Sequence, residues 1–229
     1  MSERTIRVWD LPTRLFHWLL FVLMVAAIVA AKVGGNAMEW HGRLGHLIFG
    51  LIVFRLVWGV VGSTTARFTH FVRGPGAIRA YLQGRWRGIG HNPLGALSVL
   101  ALLALTGFQA TTGLFANDDI AFRGPLAALV STDASNLLSD WHRQAEWFIY
   151  GLVGLHVAAV LYYAHVRGDN LVKPMVVGRK AVTDPALESA RGGGLIAFAA
   201  AVVIAGAALW ATSGALVPPP PPPPPALGW

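Results

Sequence analysis

Apolar residues along this chain gather into five long runs, separated by polar, glycine-rich or charged stretches. A bilayer core about 30 Å thick takes roughly 20 helical apolar residues to cross, so the pattern predicts an all-α membrane protein with five crossing helices. The first run covers 15–31 and follows the polar lead MSERTIRVWDLPTR. A basic start, an apolar run and an alanine-rich end also fit a cleaved secretory signal. Trp9 and Trp18 at interfacial positions, and His17 inside the run, favour a retained helix instead. The second run, 41–61, follows the loop GGNAMEW and contains Arg55. The third, 94–115, carries no charge and opens on Asn92-Pro93, an N-cap followed by a first helical residue. The fourth covers 141–165, and the fifth, 195–217, has no histidine and consists mostly of small residues and aliphatics.

The polar stretches set the orientation. Thirteen Lys and Arg lie before the first run and in the loops after the second and fourth, whereas Lys32, Arg43, Arg123 and Arg143 lie on the other side. By the positive-inside rule the N-terminus is cytoplasmic, and a fifth span then carries the C-terminus outside. The tail, Pro218 to Pro225 and then ALGW, favours a polyproline II rod of about 25 Å. It is either a spacer for a partner outside the membrane or a tail without a role.

Composition narrows the chemistry. In 229 residues, 55% are hydrophobic and 13% charged, with a mean hydropathy of +0.54, too apolar for an ordinary soluble domain. The formal net charge of +7 sits in loops between apolar runs, which speaks for topology rather than for nucleic acid. There are no cysteines, which excludes covalent c-type haem, thiolate clusters, disulfides and zinc–thiolate sites. Any cofactor is held by histidine.

The stretch WHRQAEWFIYGLVGLHVAAVLYYAH organises the rest. His142 and His156 are fourteen residues apart, nearly four helical turns, so both leave one face about 21 Å apart along the axis. Polar side chains on such a stripe need partners, and two stacked haems would supply them. With the orientation above, His17 and His156 share a depth near the inner face, and His41 and His142 open the second and fourth helices at the outer face. Two imidazoles from facing helices fill both axial positions of a low-spin haem, which then passes electrons without binding substrate. Gly42, Gly45, Gly151 and Gly154 leave room beside the ligands. His46, about 140° round from His41, is the competitor for the second-helix role. His70 reads as a surface residue and His165 as a non-ligand at a helix end. His91 is either interfacial or a contact to a quinone or a haem propionate. Arg55 lies fourteen residues after His41, on the same face and at the inner depth; it either pairs with a propionate or snorkels to the interface.

Several stretches together resemble one family. WDLPTRLFHW, the run from His41 through FRLVWGVVG, RFTHFVRGP, GHNPLGALS and DWHRQAEWFIYGLVGLH are similar to the bacterial and nickel-hydrogenase type of cytochrome b561 over roughly residues 4–180. That type is related to the membrane cytochrome b subunits of hydrogenases and formate dehydrogenases. The resemblance implies a four-helix bundle at 1–180 with two haem b, His17 and His156 holding the cytoplasmic-side one and His41 and His142 the periplasmic-side one. It implies a bacterial inner membrane location, exchange with quinone, and an external partner such as a c-type cytochrome or a dehydrogenase subunit. The appended helix and tail, 181–229, lie outside the shared core. Superoxide oxidation coupled to quinone is the other activity the resemblance allows. A metal-handling or transport role would need carboxylates among the membrane ligands, and apart from Glu146 near an interface the runs hold none.

Overall fold

The computed structural model describes residues 3–120 and 122–218. The prolines after Pro218, where the sequence predicts a rod, lie outside the described residues. The elements in chain order are β1 (Arg4–Arg7), α1 (Leu11–Val33), α2 (Ala37–Val61), the short α3 (Phe68–Phe71), α4 (Pro75–Leu82), α5 (Pro93–Phe115), α6 (Thr132–His165), α7 (Val172–Val177), β2 (Arg179–Val182) and α8 (Leu195–Ala211). The chain is thus mostly helical. Among the described residues four helices, α1, α2, α5 and α6, are long and apolar enough to cross a membrane. The fifth run forms α8, which stops at Ala211 because Thr212 turns back on Ala208 and the chain enters a turn at Gly214, φ 88°. Its 17 residues rise about 26 Å, short of a full core.

Helices α1 and α2 are an antiparallel pair held in register at both ends. At the end carrying the N-terminus, here the inner end, Asp10 caps α1. Its Oδ1 accepts from the Thr13 N–H at 2.7 Å, and its Oδ2 accepts from the indole of Trp58 on α2 at 3.1 Å. A cap of this kind is worth about 1 kcal/mol by itself. Here it also ties α1 to a side chain that is 0% exposed. At the outer end the His41 ring donates from Nδ1 to the Ala27 carbonyl at 2.9 Å.

A second antiparallel pair, α5 and α6, packs against the first through α2 and α5. Asn92 caps α5 and donates to Tyr163 of α6 at 2.9 Å at the inner end. At the outer end, Ser139 accepts from the Asn117 N–H and donates to its carbonyl, while Asn117 Nδ2 donates to Ser135 at 2.6 Å. Those bonds make 132–140 the first turns of α6, capped by Ser131, where the charge pattern reads as loop. His142 therefore lies well inside the helix rather than opening it, and His41 is likewise past the start of α2 at Ala37.

A two-stranded ribbon, which hydropathy does not signal, closes the inner end. Arg4 to Arg7 pairs antiparallel with Arg179 to Val182, and the N–H groups of Val8 and Trp9 bond the Gly178 carbonyl. Gly178 has φ 80°, and a side chain there would strike the Trp9 carbonyl. The boundary expected at residue 180 therefore falls inside β2. Trp9 is buried in this closure rather than interfacial, whereas Trp18 stays partly exposed and donates to Met175.

From the ribbon the chain runs back to α8, which lies antiparallel along α2. Phe198 packs edge-on to Phe54 and Trp58, and His46 Nε2 meets Thr212 Oγ1 at 2.9 Å. Gly50 makes the close approach possible, since a Cβ there would come within 2.7 Å of Leu209. We expect Gly50→Val to force α8 off α2 and to cost about 1–3 kcal/mol by overpacking. A thermal melt of the purified protein, with the accessibility of a cysteine introduced at Leu209, reads both effects. An unchanged melt and a protected cysteine would refute the contact.

Candidate functional site

The helix registers bring the predicted histidines together in pairs. His17 of α1 and His156 of α6 have ring centres 6.3 Å apart with planes at 52°. His41 of α2 and His142 of α6 are 5.9 Å apart at 88°. The first pair lies toward the inner end and the second toward the outer end, on the stripe of α6 that the fourteen-residue spacing defines. His46 does not join them: it turns to Thr212 of α8. His165 is exposed at the end of α6.

The pairs fit the axial positions of a haem. Metal–imidazole bonds of about 2.0–2.1 Å on both sides, with roughly 1.1 Å more from nitrogen to ring centre, separate two ring centres by about 6.3 Å. The observed separations leave room for one iron. Tautomers agree at the outer pair: the His41 Nδ1–H donates to Ala27 and the His142 Nδ1–H to Gln109, each at 2.9 Å, so Nε2 is the free nitrogen on both rings. Gly45, Gly151 and Gly154 have open space where a side chain would project, as a macrocycle beside them requires. Gly42 does not, because Phe122 of the α5–α6 connection fills its place. Among the described residues no group of three or more His, Cys, Asp or Glu side chains is placed to hold a metal ion. Zinc takes three or four protein ligands, whereas a porphyrin brings four nitrogens and asks two of the protein.

Gly113 is a site residue that periodicity does not reveal. It faces the His142 ring so closely that a Cβ would sit 3.0 Å from Cε1. Thr112 beside it places Oγ1 3.3 Å from His142 Nδ1. An uncharged run of small residues carries no signal for either role.

The inner end holds the buried charge. Arg55 is 2% exposed; its Nη2 donates to the Ala66 carbonyl at 3.1 Å, its guanidinium lies 5.0 Å from the Phe68 ring centre, and Nη1 is buried without a partner. It does not snorkel to water, and the unpaired nitrogen is suited to an anionic group such as a propionate. His91, just before α5, lies between the rings of Trp9 and Phe71, at 4.6 and 4.7 Å. Burial there, with the Arg55 charge second, pushes its pKa down to about 3, so it is neutral at physiological pH. His70 is half-buried rather than on the surface, because α3 folds against the end of α2. With His91, Arg73, Arg87 and Arg191 it lines a cavity of about 560 Å³ at the inner end.

Comparison with known proteins identifies the family. The family described as prokaryotic cytochrome b561 matches residues 8–178. A probable Ni/Fe-hydrogenase 1 B-type cytochrome subunit of Escherichia coli strain K12 is 26% identical over 213 residues, covering 76% of this chain and 90% of its own length. Probable Ni/Fe-hydrogenase B-type cytochrome subunits of Azotobacter vinelandii and Cupriavidus necator are 23% and 25% identical over 221 residues, each covering 80% of this chain and 91% and 90% of their own. No solved structure matches. With four apolar helices around paired histidines and a family match across the whole bundle, the chain belongs to the prokaryotic cytochrome b561 family, multi-pass membrane cytochromes of the b type that carry electrons.

Proposed function

We propose that this protein holds two b-type haems, one between His17 and His156 and one between His41 and His142, and carries electrons between membrane quinone and a redox partner on the outer side. The observation that carries the proposal is the pair of histidine couples at 6.3 and 5.9 Å, stacked on one stripe of α6. When bound, each haem supplies a one-electron couple whose axial positions are filled, so it exchanges electrons without binding substrate. The chain's own residues fix the rings, exclude water and neutralise charge. The Ala27 and Gln109 carbonyls orient the outer imidazoles, and Arg55 offers its free Nη1 to a propionate at the inner end.

Quinone is the partner that the family resemblance implies inside the membrane. The hydrogenase subunits among the relatives favour a hydrogenase or dehydrogenase catalytic subunit as the outer partner, with a c-type cytochrome as the other form. The thirteen-to-four division of basic residues supports a cytoplasmic N-terminus in an inner membrane. Because α8 runs antiparallel to α2 from its inner end to the level of His46, we also propose that it crosses the membrane and leaves the proline tail outside.

Purified protein should show the reduced-minus-oxidised absorption bands of a low-spin haem b, with two haems per chain. His17→Ala and His156→Ala should each remove the same haem, and His41→Ala and His142→Ala the other, while His70→Ala and His165→Ala leave both. The readouts are haem content and electron paramagnetic resonance. Loss of one haem by both His17→Ala and His142→Ala would break the pairing. Arg55→Lys should shift the potential of one haem, since an ammonium cannot copy a planar fork; an unchanged redox titration removes Arg55 from the site. Reporters fused after Gly90 and after Trp229 should read cytoplasm and periplasm, and two readings on one side would refute the topology.

A further inference from the structure

We infer that the cavity at the inner end binds the phosphate of an anionic phospholipid, with Arg73, Arg87 and Arg191 as the groups that recognise it. The inference does not depend on the histidine pairs. The cavity, of about 560 Å³, has three walls: the turn after α2 with His70 and Arg73, the connection into α5 with Trp86, Arg87 and His91, and the stretch after β2 that ends at Arg191. The family match stops at residue 178, so the third wall lies beyond it.

Charge selects the class of ligand. Of the lining residues three are arginines and one, Glu188, is acidic. Arg73 donates Nε–H to the His70 carbonyl at 2.8 Å, and Arg87 donates from Nη1 to the Gly84 and Trp86 carbonyls at 3.3 and 3.4 Å. A guanidinium has donors to spare after such bonds, and among the described residues neither arginine has a carboxylate partner. Arg191 meets Glu188 at 3.7 Å, but the two side chains are 75% and 72% exposed, and a pair so exposed is worth little. Planar forks of N–H groups match phosphate oxygens two at a time. His91 adds a further polar atom, since its Nδ1 is buried without a partner.

Depth selects the source. Phosphate in this place comes either as the free ion or on a lipid headgroup. Thr64 lies just past the end of α2 and Pro93 opens α5, so the cavity sits where two spans end, at the level of the headgroups. Its volume falls in the range of small-molecule sites, roughly 300–1,000 Å³, and is more than a bare phosphate fills. Phe71 and Trp86 give it an aromatic lining, and Val72 and Leu82, on the same stretch between α2 and α5, expose apolar surface that an acyl chain would cover. Basic pockets at the cytoplasmic ends of membrane helices attract the anionic lipids of that leaflet. A quinone head carries no charge and would leave the three arginines without a counter-ion.

The test uses full-length purified protein in a neutral detergent, titrated with dihexanoyl phosphatidylglycerol, dihexanoyl phosphatidylcholine or sodium phosphate, with bound lipid read by native mass spectrometry and stability by a thermal melt. Phosphatidylglycerol should bind and raise the melting temperature, and phosphatidylcholine should do neither. Arg73→Gln, Arg87→Gln and Arg191→Gln should each weaken phosphatidylglycerol by about fivefold, the effect of one basic residue near an anionic headgroup. Glu188→Gln should tighten it, a gain that damage to the fold would not produce. Arg79→Gln, on α4 but outside the cavity lining, should leave it unchanged. Equal binding of the two lipids, or a loss in Arg79→Gln as large as in the cavity variants, would overturn the inference in favour of diffuse attraction. Displacement of phosphatidylglycerol by sodium phosphate at equal concentration would overturn it in favour of the free ion.

Discussion

The carboxylate of Asp10 sets the register on which the bundle depends. It caps α1 and takes the indole proton of Trp58, so the first residues of α1 lie level with the last turn of α2. Seventeen residues along α1 from Asp10 is Ala27, and seventeen residues back along α2 from Trp58 is His41; these two meet through the ring Nδ1. Helices rising about 1.5 Å per residue stay level over that distance only if the inner contact is correct. The depth of His41 is thus fixed from the opposite end of the membrane span. An apolar substitute for Asp10 would remove the cap and leave a buried indole N–H unpaired, a cost of about 1–3 kcal/mol for the orphaned group.

The second pair of helices solves the same problem with a polar knot. Asn117 is tied to Ser135 and Ser139, and this decides where α6 starts and therefore which residues of α6 reach the level of His41. In a bilayer every backbone polar group must find a partner within the protein. The knot lies at the outer end, where α5 stops, and the same economy supplies the Gln109 carbonyl for His142 one helical stretch below it. The placement of the paired histidines follows from ordinary helix capping and turn chemistry. No strained backbone is involved at the rings themselves.

Much of this was legible in the sequence, and the remainder was not for identifiable reasons. The four long spans follow from apolar run length, and the pairing of His17 with His156 and His41 with His142 follows from spacing and orientation, because a helix converts sequence interval directly into depth and face. His41 over His46 needed α8: its Thr212 takes the His46 ring, a contact 166 residues away in sequence. The ribbon was invisible because each strand has four residues and its partner lies about 175 positions distant. The first turns of α6 were hidden because a hydropathy window sees their charges and not the serines that bond Asn117. The closeness of Gly113 to His142 depends on the packing of α5 on α6, which no single-chain pattern encodes. Arg55 was correctly marked as a buried charge, but the Ala66 carbonyl and Phe68 ring that hold it come from a turn that reads as a break.

The part of the chain beyond the family match is not loosely attached. The match ends at residue 178, where the Gly178 carbonyl accepts from Val8 and Trp9. From there β2 pairs with β1, the Ala190 N–H bonds Arg7, and the Arg191 carbonyl accepts from Thr64. These backbone bonds deliver α8 to the flank of α2 in a fixed register, so that Ala201 and Ala205 are buried and Leu209 rests on Gly50. The flank of α2 facing away from the histidine pairs is thereby closed by the chain itself. On the opposite side, α1 and α6 do not pack along their lengths. They are bridged by side chains instead: His17 with His156 toward the inner end, and Lys32 with Glu146 toward the outer. The bundle is therefore shut by a helix on one side and by two side-chain bridges on the other, and the paired histidines line the seam that those bridges span.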